Sequence, residues 1–327
     1  MRNNFLSILF LSLTCVINSN AKQVDTSIID FNLTKDSETP LSDAIYGVEI
    51  IQLKSNNMIL HDINSIYTNS RHIVIKDRIF NNQYIYNTNG EYIADLGNTL
   101  YPDKQYIAQS TVMYAHRKWK EYIYCSLYPR YESLIIDAKK WNITKQKIDD
   151  VSDDYIPIND GYNKSITKKR IAIHKPGNDS ITIVNTKSNK QVLSYILNFI
   201  TKDDEGVYID RAFLYKDYII VKYELFEYIK AADIKILKDN YYALYNTKNG
   251  KSIAQLTPKN NIQGSSLELI GVCNDGFVFY TTDPWNSTYS DTFKGKLSEQ
   301  GLETIDSINE KSDYLLFILK PSITKDK

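Results

Sequence analysis

Tyr84-Ile-Tyr-Asn-Thr-Asn-Gly-Glu-Tyr-Ile-Ala-Asp-Leu96 resembles a later stretch, Ala243-Leu-Tyr-Asn-Thr-Lys-Asn-Gly-Lys-Ser-Ile-Ala-Gln-Leu256, and a weaker copy, Ile181-Thr-Ile-Val-Asn-Thr-Lys-Ser-Asn-Lys-Gln-Val-Leu193. Each reads as a strand, a turn and a second strand. Asn89-Gly90 and Asn249-Gly250 supply the positive φ that tight hairpins need. The copies therefore share a physical reason as well as letters, and they mark an internal repeat whose unit is an antiparallel hairpin.

Working outward, an inner pair of strands precedes each hairpin. In the first unit these are Ile63 to Thr68 and His72 to Lys76, and in another Tyr208 to Tyr215 and Tyr218 to Tyr223. Four strands recurring at roughly 40 to 50 residues is the period of a β-propeller blade. Thr111 to Ile148 and Tyr155 to Leu197 read as further units, the latter with a faint first strand. The last unit is incomplete: Leu267 to Val272, Gly276 to Thr282 and Tyr314 to Lys320 give three strands. Val48 to Leu53, alone before the first unit, is expected to supply the fourth and to pair the two chain ends, protecting edges that would otherwise aggregate. No regular alternation with helices supports a parallel sheet.

Composition agrees with sheet. The 327 residues include 26 tyrosines but only 12 glycines and 8 prolines, and 43% are apolar. Lysine plus arginine (39) equals aspartate plus glutamate (39), so no net field draws in nucleic acid, and nucleic-acid binding is not expected.

The first 21 residues read as a signal peptide, with Arg2 as the basic start, Phe5 to Ile17 as the apolar stretch, and Ser19-Asn20-Ala21 at the cleavage positions. Cys15 offers the alternative of lipid acylation, although Ser12-Leu13-Thr14 is a poor version of the small-residue box that precedes such a cysteine. A membrane is expected only through that anchor. Residues 22–45 read as a polar, aperiodic surface leader, and 46–327 as a single propeller domain. Cys125 and Cys273 do not make a disulfide framework. Cys125 sits on the apolar face of a strand, where a buried thiol is the simpler expectation and a bridge between distant blades the alternative.

The run Leu41-Ser-Asp-Ala-Ile-Tyr-Gly-Val-Glu-Ile-Ile-Gln-Leu-Lys-Ser-Asn56, the unit Ile63 to Gly97, and Asp313-Tyr-Leu-Leu-Phe-Ile-Leu-Lys320 resemble the opening, first blade and closing strand of the six-bladed β-propeller proteins of Bacteroidetes. That resemblance implies export, often as a lipoprotein in the periplasm or at the outer membrane and cell surface. It also implies six blades where the residues show five. Either a degenerate sixth lies between Gly97 and Thr111 or between Asp149 and Thr167, or the ring is smaller than the resemblance implies.

Chemistry leaves few marks. The histidines at 61, 72, 116 and 174 show no metal-ligand spacing. His116 and His174 end strands and could face one end of a propeller channel, whereas ordinary hydrogen-bonded strand ends are the plainer reading. Asp149-Asp150 with Asp153-Asp154, and Asp203-Asp204-Glu205-Gly206, lack the alternating register of a calcium loop. Gly264-Ser265-Ser266 lacks the second glycine of a nucleophile elbow. Trp119, Trp141 and Trp285 are candidate stacking platforms for a sugar or peptide, and Trp285 stands out because it follows Pro284 in a long insertion. A second insertion, Glu224 to Asn240, spaces Leu225, Ile229, Ala232 and Ile236 as a helix would, and equally suits a twisted hairpin.

The leading expectation is an exported, non-catalytic propeller that uses no cofactor and binds a protein, peptide or glycan at the cell envelope. Its rival is a propeller hydrolase or lyase with carboxylates from different blades converging on the channel, which would leave no local motif. A periplasmic accessory to an envelope complex is a third form.

Overall fold

The computed structural model describes residues 24–323 except 36, 55–59, 61–62, 69–71, 78–82, 96–109, 117–121, 129–131, 138–141, 148–154, 158–161, 167–168, 189, 230–231, 260, 265, 282–283 and 309–313. Between 110 and 157 only the backbone is described. The chain enters through β1 (Asp25–Asn32) and β2 (Thr39–Pro40), makes a 3-10 turn over Leu41–Ala44, and continues as β3 (Ile45–Gln52). Sheet I follows as β4 (Ile63–Thr68), β5 (His72–Asp77), β6 (Gln83–Asn87) and β7 (Tyr92–Asp95). Sheet II is β8 (Ser110–His116), β9 (Tyr122–Tyr128), β10 (Glu132–Asp137) and β11 (Asn142–Lys147), with β12 (Tyr155–Pro157) added along β8. Sheet III is β13 (Asn163–Ile166), β14 (Arg170–His174), β15 (Ser180–Asn185) and β16 (Gln191–Ile200). Sheet IV is β17 (Glu205–Tyr215), β18 (Tyr218–Ile229), β19 (Ile234–Asn246) and β20 (Ser252–Thr257). A short β21 (Ile262–Gln263) leads to sheet V, which holds β22 (Glu268–Val272) and β23 (Phe277–Thr281). The chain then passes through β24 (Thr288–Tyr289), α1 (Asp291–Lys294) and α2 (Glu299–Asp306) before β25 (Leu315–Pro321) completes its part of sheet V.

The chain is all-β, and each of these sheets is built on a meander of antiparallel strands that follow one another in the chain, the chain pattern of a propeller blade. The expected end-to-end pairing is present. β3 pairs antiparallel with β25, Val48 opposite Leu319 and Gln52 opposite Leu315, and Leu53 N–H donates to the Tyr314 carbonyl at 2.8 Å.

The repeat has a shared turn chemistry. The Asn87 side-chain oxygen accepts from the backbone N–H groups of Asn89 and Glu91, that of Asn185 from Lys187 and Ser188, and that of Asn246 from Lys248 and Asn249. An asparagine at the strand end can close its own turn in this way, which is why Asn-Thr recurs in all three copies. Gly90 and Gly250 both have positive φ, at 81° and 73°. Gly90 also abuts β3: a Cβ there would lie 2.0 Å from the Gln52 carbonyl oxygen, whereas one on Gly250 would meet nothing within 4 Å.

Two expectations change. The described residues of the 22–45 leader are not aperiodic: β1 lies parallel to β16, with Ile29, Phe31 and Leu33 at most 1% exposed, and β2 lies parallel to β20. The leader therefore runs along the outer edges of sheets III and IV before joining sheet V. The polar residues Asp30 and Asn32 alternate with the buried ones, so half of a true strand looked like loop. Tyr155 to Pro157 belongs to sheet II, opposite His116 to Tyr114, rather than opening sheet III. Proline lacks an N–H and suits such an edge position. Of the two places for a sixth unit, described residues in 149–167 are absorbed by β12 and β13, and 97–109 lies outside the described residues.

The core lies in slabs between sheets that follow one another. One packs sheet III and β1 against sheet IV through Phe31, Leu197, Val221 and Tyr223. A second packs sheets IV and V through Tyr242, Leu244, Phe279 and Phe317, and Phe293 of α1 joins it. A third packs sheets V and I through Val278, Leu316, Ile75 and Tyr86. Strand alternation sends Phe277 and Phe279 to one slab and Val278 and Tyr280 to the other. A sheet buried on both faces is written in nearly continuous apolar runs, as in Leu315-Leu-Phe-Ile-Leu319.

Candidate functional site

Sheet IV has the longest strands of the described residues: β19 runs past β20 from Tyr241 to Ile234, while β17 accompanies β18 as far as Glu227, so the end of the β18–β19 hairpin stands at the margin of the sheet. The insertion 224–240 is thus a hairpin and not a helix, with Ile229 opposite Ile234, Glu227 opposite Ile236, and Phe226 opposite Leu237. The register then shifts at Lys238, so Leu225 faces Asp239. Asp233, in the connecting turn, has φ 51°, a conformation that aspartate tolerates better than most residues.

Opposite residues share a face of an antiparallel pair. One face of the tip carries Ile229, Ile234, Ile236 and Glu227. The other carries Phe226, Tyr228, Leu237 and Lys235. Tyr228, Ile229, Ile234, Ile236 and Leu237 are 38 to 51% exposed, unusual for side chains of this size clustered together. The outer edge of Ile234 to Asn240 has no strand partner among the described residues, since β20 pairs only as far as Tyr242. The lysines at 235 and 238 and the shift in register are the usual devices that keep such an edge from aggregating.

The tip is braced. Tyr228 N–H donates to the Asp204 carbonyl at 2.7 Å, and its ring covers Gly206, where a Cβ would lie 2.6 Å from the ring edge. The Lys235 ammonium stands 3.9 Å from the Phe226 ring centre and 5.8 Å from that of Tyr228, within cation–π range. Glu205 lies opposite Glu227 and takes Lys238 at 2.8 Å. A hollow of about 280 Å³ at the turn is lined by Tyr228, Ile229, Asp233, Ile234 and Lys235.

A second constellation lies where β13, β17 and β22 approach one another. Lys222 Nζ is 2.6 Å from a Glu268 carboxylate oxygen and 3.2 Å from one of Asp210. Arg211 Nη1 donates to the Leu269 carbonyl at 2.7 Å, and Asn163 Nδ2 to the Asp210 carbonyl at 3.2 Å. The β17–β18 register shifts between Ile209 and Arg211, which leaves Asp210 as a bulge residue re-aimed toward Lys222. Beneath it Tyr242 is fully buried, its hydroxyl donating to the Leu267 carbonyl at 2.6 Å. Burial, then the charge of Glu268, holds its pKa well above the usual phenol range. Two carboxylates do converge here, but a lysine bridges them.

The sequence-derived candidates are not gathered into one place. His174 is 0% exposed. Its Nε2–H donates to the Asn178 carbonyl at 3.0 Å, which leaves Nδ1 to accept from Asn163 Nδ2 at 3.1 Å. Burial lowers its pKa, so the neutral ring ties the 175–179 turn to its strand. His116 ends β8 opposite Tyr155, and nothing of its side chain is described. Trp285 is 37% exposed on a 3-10 turn over Pro284–Asn286. That turn is held by β24 pairing with β21, by Ser290 N–H donating to the Asn261 carbonyl, and by Asn261 bonding Ser42. Trp119, Trp141 and Cys15 lie outside the described residues. Cys273 is a free thiol whose pKa burial raises, which disfavours the reactive thiolate. Among the described residues no group of three or more His, Cys, Asp or Glu side chains could hold a metal ion, and no helix is long and apolar enough to cross a membrane.

No protein-family model matches the chain, and no curated protein matches its sequence. Solved structures do match. The computed structure superposes with a TM-score of 0.58 on a protein from Bacteroides fragilis NCTC 9343 described as a candidate exported protein, at 13% identity, covering 91% of this chain and all of that one. The two share a fold. A member of the DUF4221 family from Bacteroides vulgatus aligns over 85% of this chain and 99% of its own at 11% identity and a TM-score of 0.37. The β-propeller domain of Cps50 (Swd1) from Myceliophthora thermophila aligns over 84% of this chain and all of its own at 7% identity and 0.35.

Proposed function

We propose that this chain is an exported, non-catalytic β-propeller, five sheets closed into a ring by β3 on β25, that binds a protein partner at the cell envelope through the hairpin tip of sheet IV. The observation that carries the reading is the tip itself. Five large apolar side chains stand exposed on a braced hairpin tip at the end of its sheet. Exposed apolar groups clustered on rigid backbone are characteristic of recognition surfaces, and this one is rimmed by charge. Export is supported by the signal-like first residues and by the shared fold with the Bacteroides fragilis protein described as a candidate exported protein.

The rival carboxylate-based hydrolase or lyase has its best support at Asp210 and Glu268. Lys222 sits between them as counter-ion, a stable ion pair rather than a proton donor poised over a cleft. The binding reading therefore explains more of the molecule.

The test is a photo-crosslinking residue introduced at Ile236 in cells, with Lys248 as a control position. A single protein adduct from Ile236, lost when Ile234 and Leu237 are both changed to serine with the probe kept at position 236, is expected. Equal adducts from both positions, or none from Ile236, would remove the hairpin as the recognition element.

A further inference from the structure

The two faces of the hairpin tip carry opposite charge. On one, Ile229, Ile234 and Ile236 surround Glu227, for which no ion-pair partner is present among the described residues. Glu205, directly across from it, adds a second carboxylate but is already matched by Lys238. On the other face, Phe226, Tyr228 and Leu237 surround Lys235, whose ammonium rests on the two rings without a carboxylate among its described contacts. One face is aliphatic and acidic and the other aromatic and basic.

From this we infer that the occupant of the hairpin is a second copy of this chain, with the Glu227 face of one tip packing on the Lys235 face of another. The inference rests on the hairpin being a recognition element and names its partner. Charge decides the arrangement. A two-fold dimer of like faces would set Glu227 against Glu227 or Lys235 against Lys235, and burying like charges together is costly. The unlike faces instead join their apolar rims and pair one carboxylate with one ammonium. Because the faces lie on opposite sides of one hairpin, each added copy leaves both kinds of face open at the ends of the stack. Contacts of this head-to-tail kind extend the assembly rather than close it.

Sedimentation velocity of the mature chain, followed from about 1 to about 100 μM, the range in which weak self-association is read, tests this. Average mass is expected to rise continuously with concentration. Glu227→Lys alone and Lys235→Glu alone should each weaken association about tenfold or more. The double variant E227K/K235E, which swaps the charges, should return to within about threefold of the parent. An equimolar mixture of the two single variants should also associate where neither does alone, and that arm depends only on both being folded, which their circular dichroism checks. A chain that stays monomeric throughout overturns the inference, and so does a discrete dimer indifferent to both reversals. An adduct from Ile236 to a different protein, with the chain monomeric, would keep the hairpin as a recognition element while removing this partner.

Discussion

Tyr223 and Tyr228 belong to the same strand, five residues apart, and meet opposite surroundings. Tyr223 is fully buried between sheets III and IV, its ring 4.7 Å from Phe199 and 5.9 Å from Tyr241, and its hydroxyl donates to the Ala254 carbonyl at 2.8 Å. Tyr228 is 43% exposed, with a glycine beneath its ring and a lysine beside it. The strand is regular at both positions. What differs is whether a neighbouring sheet is long enough to cover it. Within the body of sheet IV alternation has a buried destination on each side, and past Leu225 it leaves apolar groups on two uncovered faces.

The sharpest way to press that difference is to remove the buried member. Tyr223→Ala should destabilise the fold by about 3–5 kcal/mol, because it opens a cavity in the slab and leaves the Ala254 carbonyl without its donor. Urea midpoints at pH 7.5 measure it. A loss under about 1 kcal/mol would mean that sheets III and IV do not pack as described.

A smaller effect is expected where the same slab meets a turn. Burial holds the His174 pKa below 6.5, so the folded chain favours the neutral ring. In the unfolded chain the ring titrates at its ordinary value of about 6.5. Below that pH the unfolded chain binds more protons than the folded one, and stability falls as pH falls, with the contribution fully present above it. Asp210 is the charged group that faces His174 and raises its pKa slightly, and it does not reverse the sign. Comparing urea midpoints at pH 7.5 and 5.5, the parent should lose more stability than His174→Gln, which cannot take up the proton. Equal losses in the two chains would show that the ring is solvated.

These features differ in how far they could be read from residues alone. The hairpin repeat was legible because its cause is local: an asparagine that closes its own turn and a glycine that takes positive φ. The pairing of β3 with β25 was legible from what the last unit lacked. β1 was hidden because only Ile29, Phe31 and Leu33 point inward, and the side chains between them are those of a loop. The tip of sheet IV was ambiguous for a related reason. Leu225, Ile229, Ala232 and Ile236 fall at helical spacing by coincidence, whereas a strand exposed on both faces shows no alternation of apolar and polar residues. Asp210, Lys222 and Glu268 left no trace at all, since they reach one another across two sheets and through a bulge. Only a bulge, which shifts side-chain direction by one position, brings Asp210 to the lysine, and nothing in Tyr208 to Tyr215 announces it.

The smallest expected effect sharpens the comparison most. Ile236→Ser removes a large aliphatic group, a change that costs several kcal/mol inside a slab. At the tip the side chain is 45% exposed and belongs to none of the core slabs among the described residues, so its removal should lower stability, read from the urea midpoint, by no more than about 0.5 kcal/mol. It should nevertheless weaken association at the hairpin, because the area it would bury there is apolar. A large loss of stability would instead show that the tip is covered within its own chain, and the exposed hairpin would then be a packing element that happens to project. Unchanged stability with weakened association separates the two roles within one strand pair, and identifies the point past Leu225 where sheet IV stops holding the fold together and begins to offer a surface.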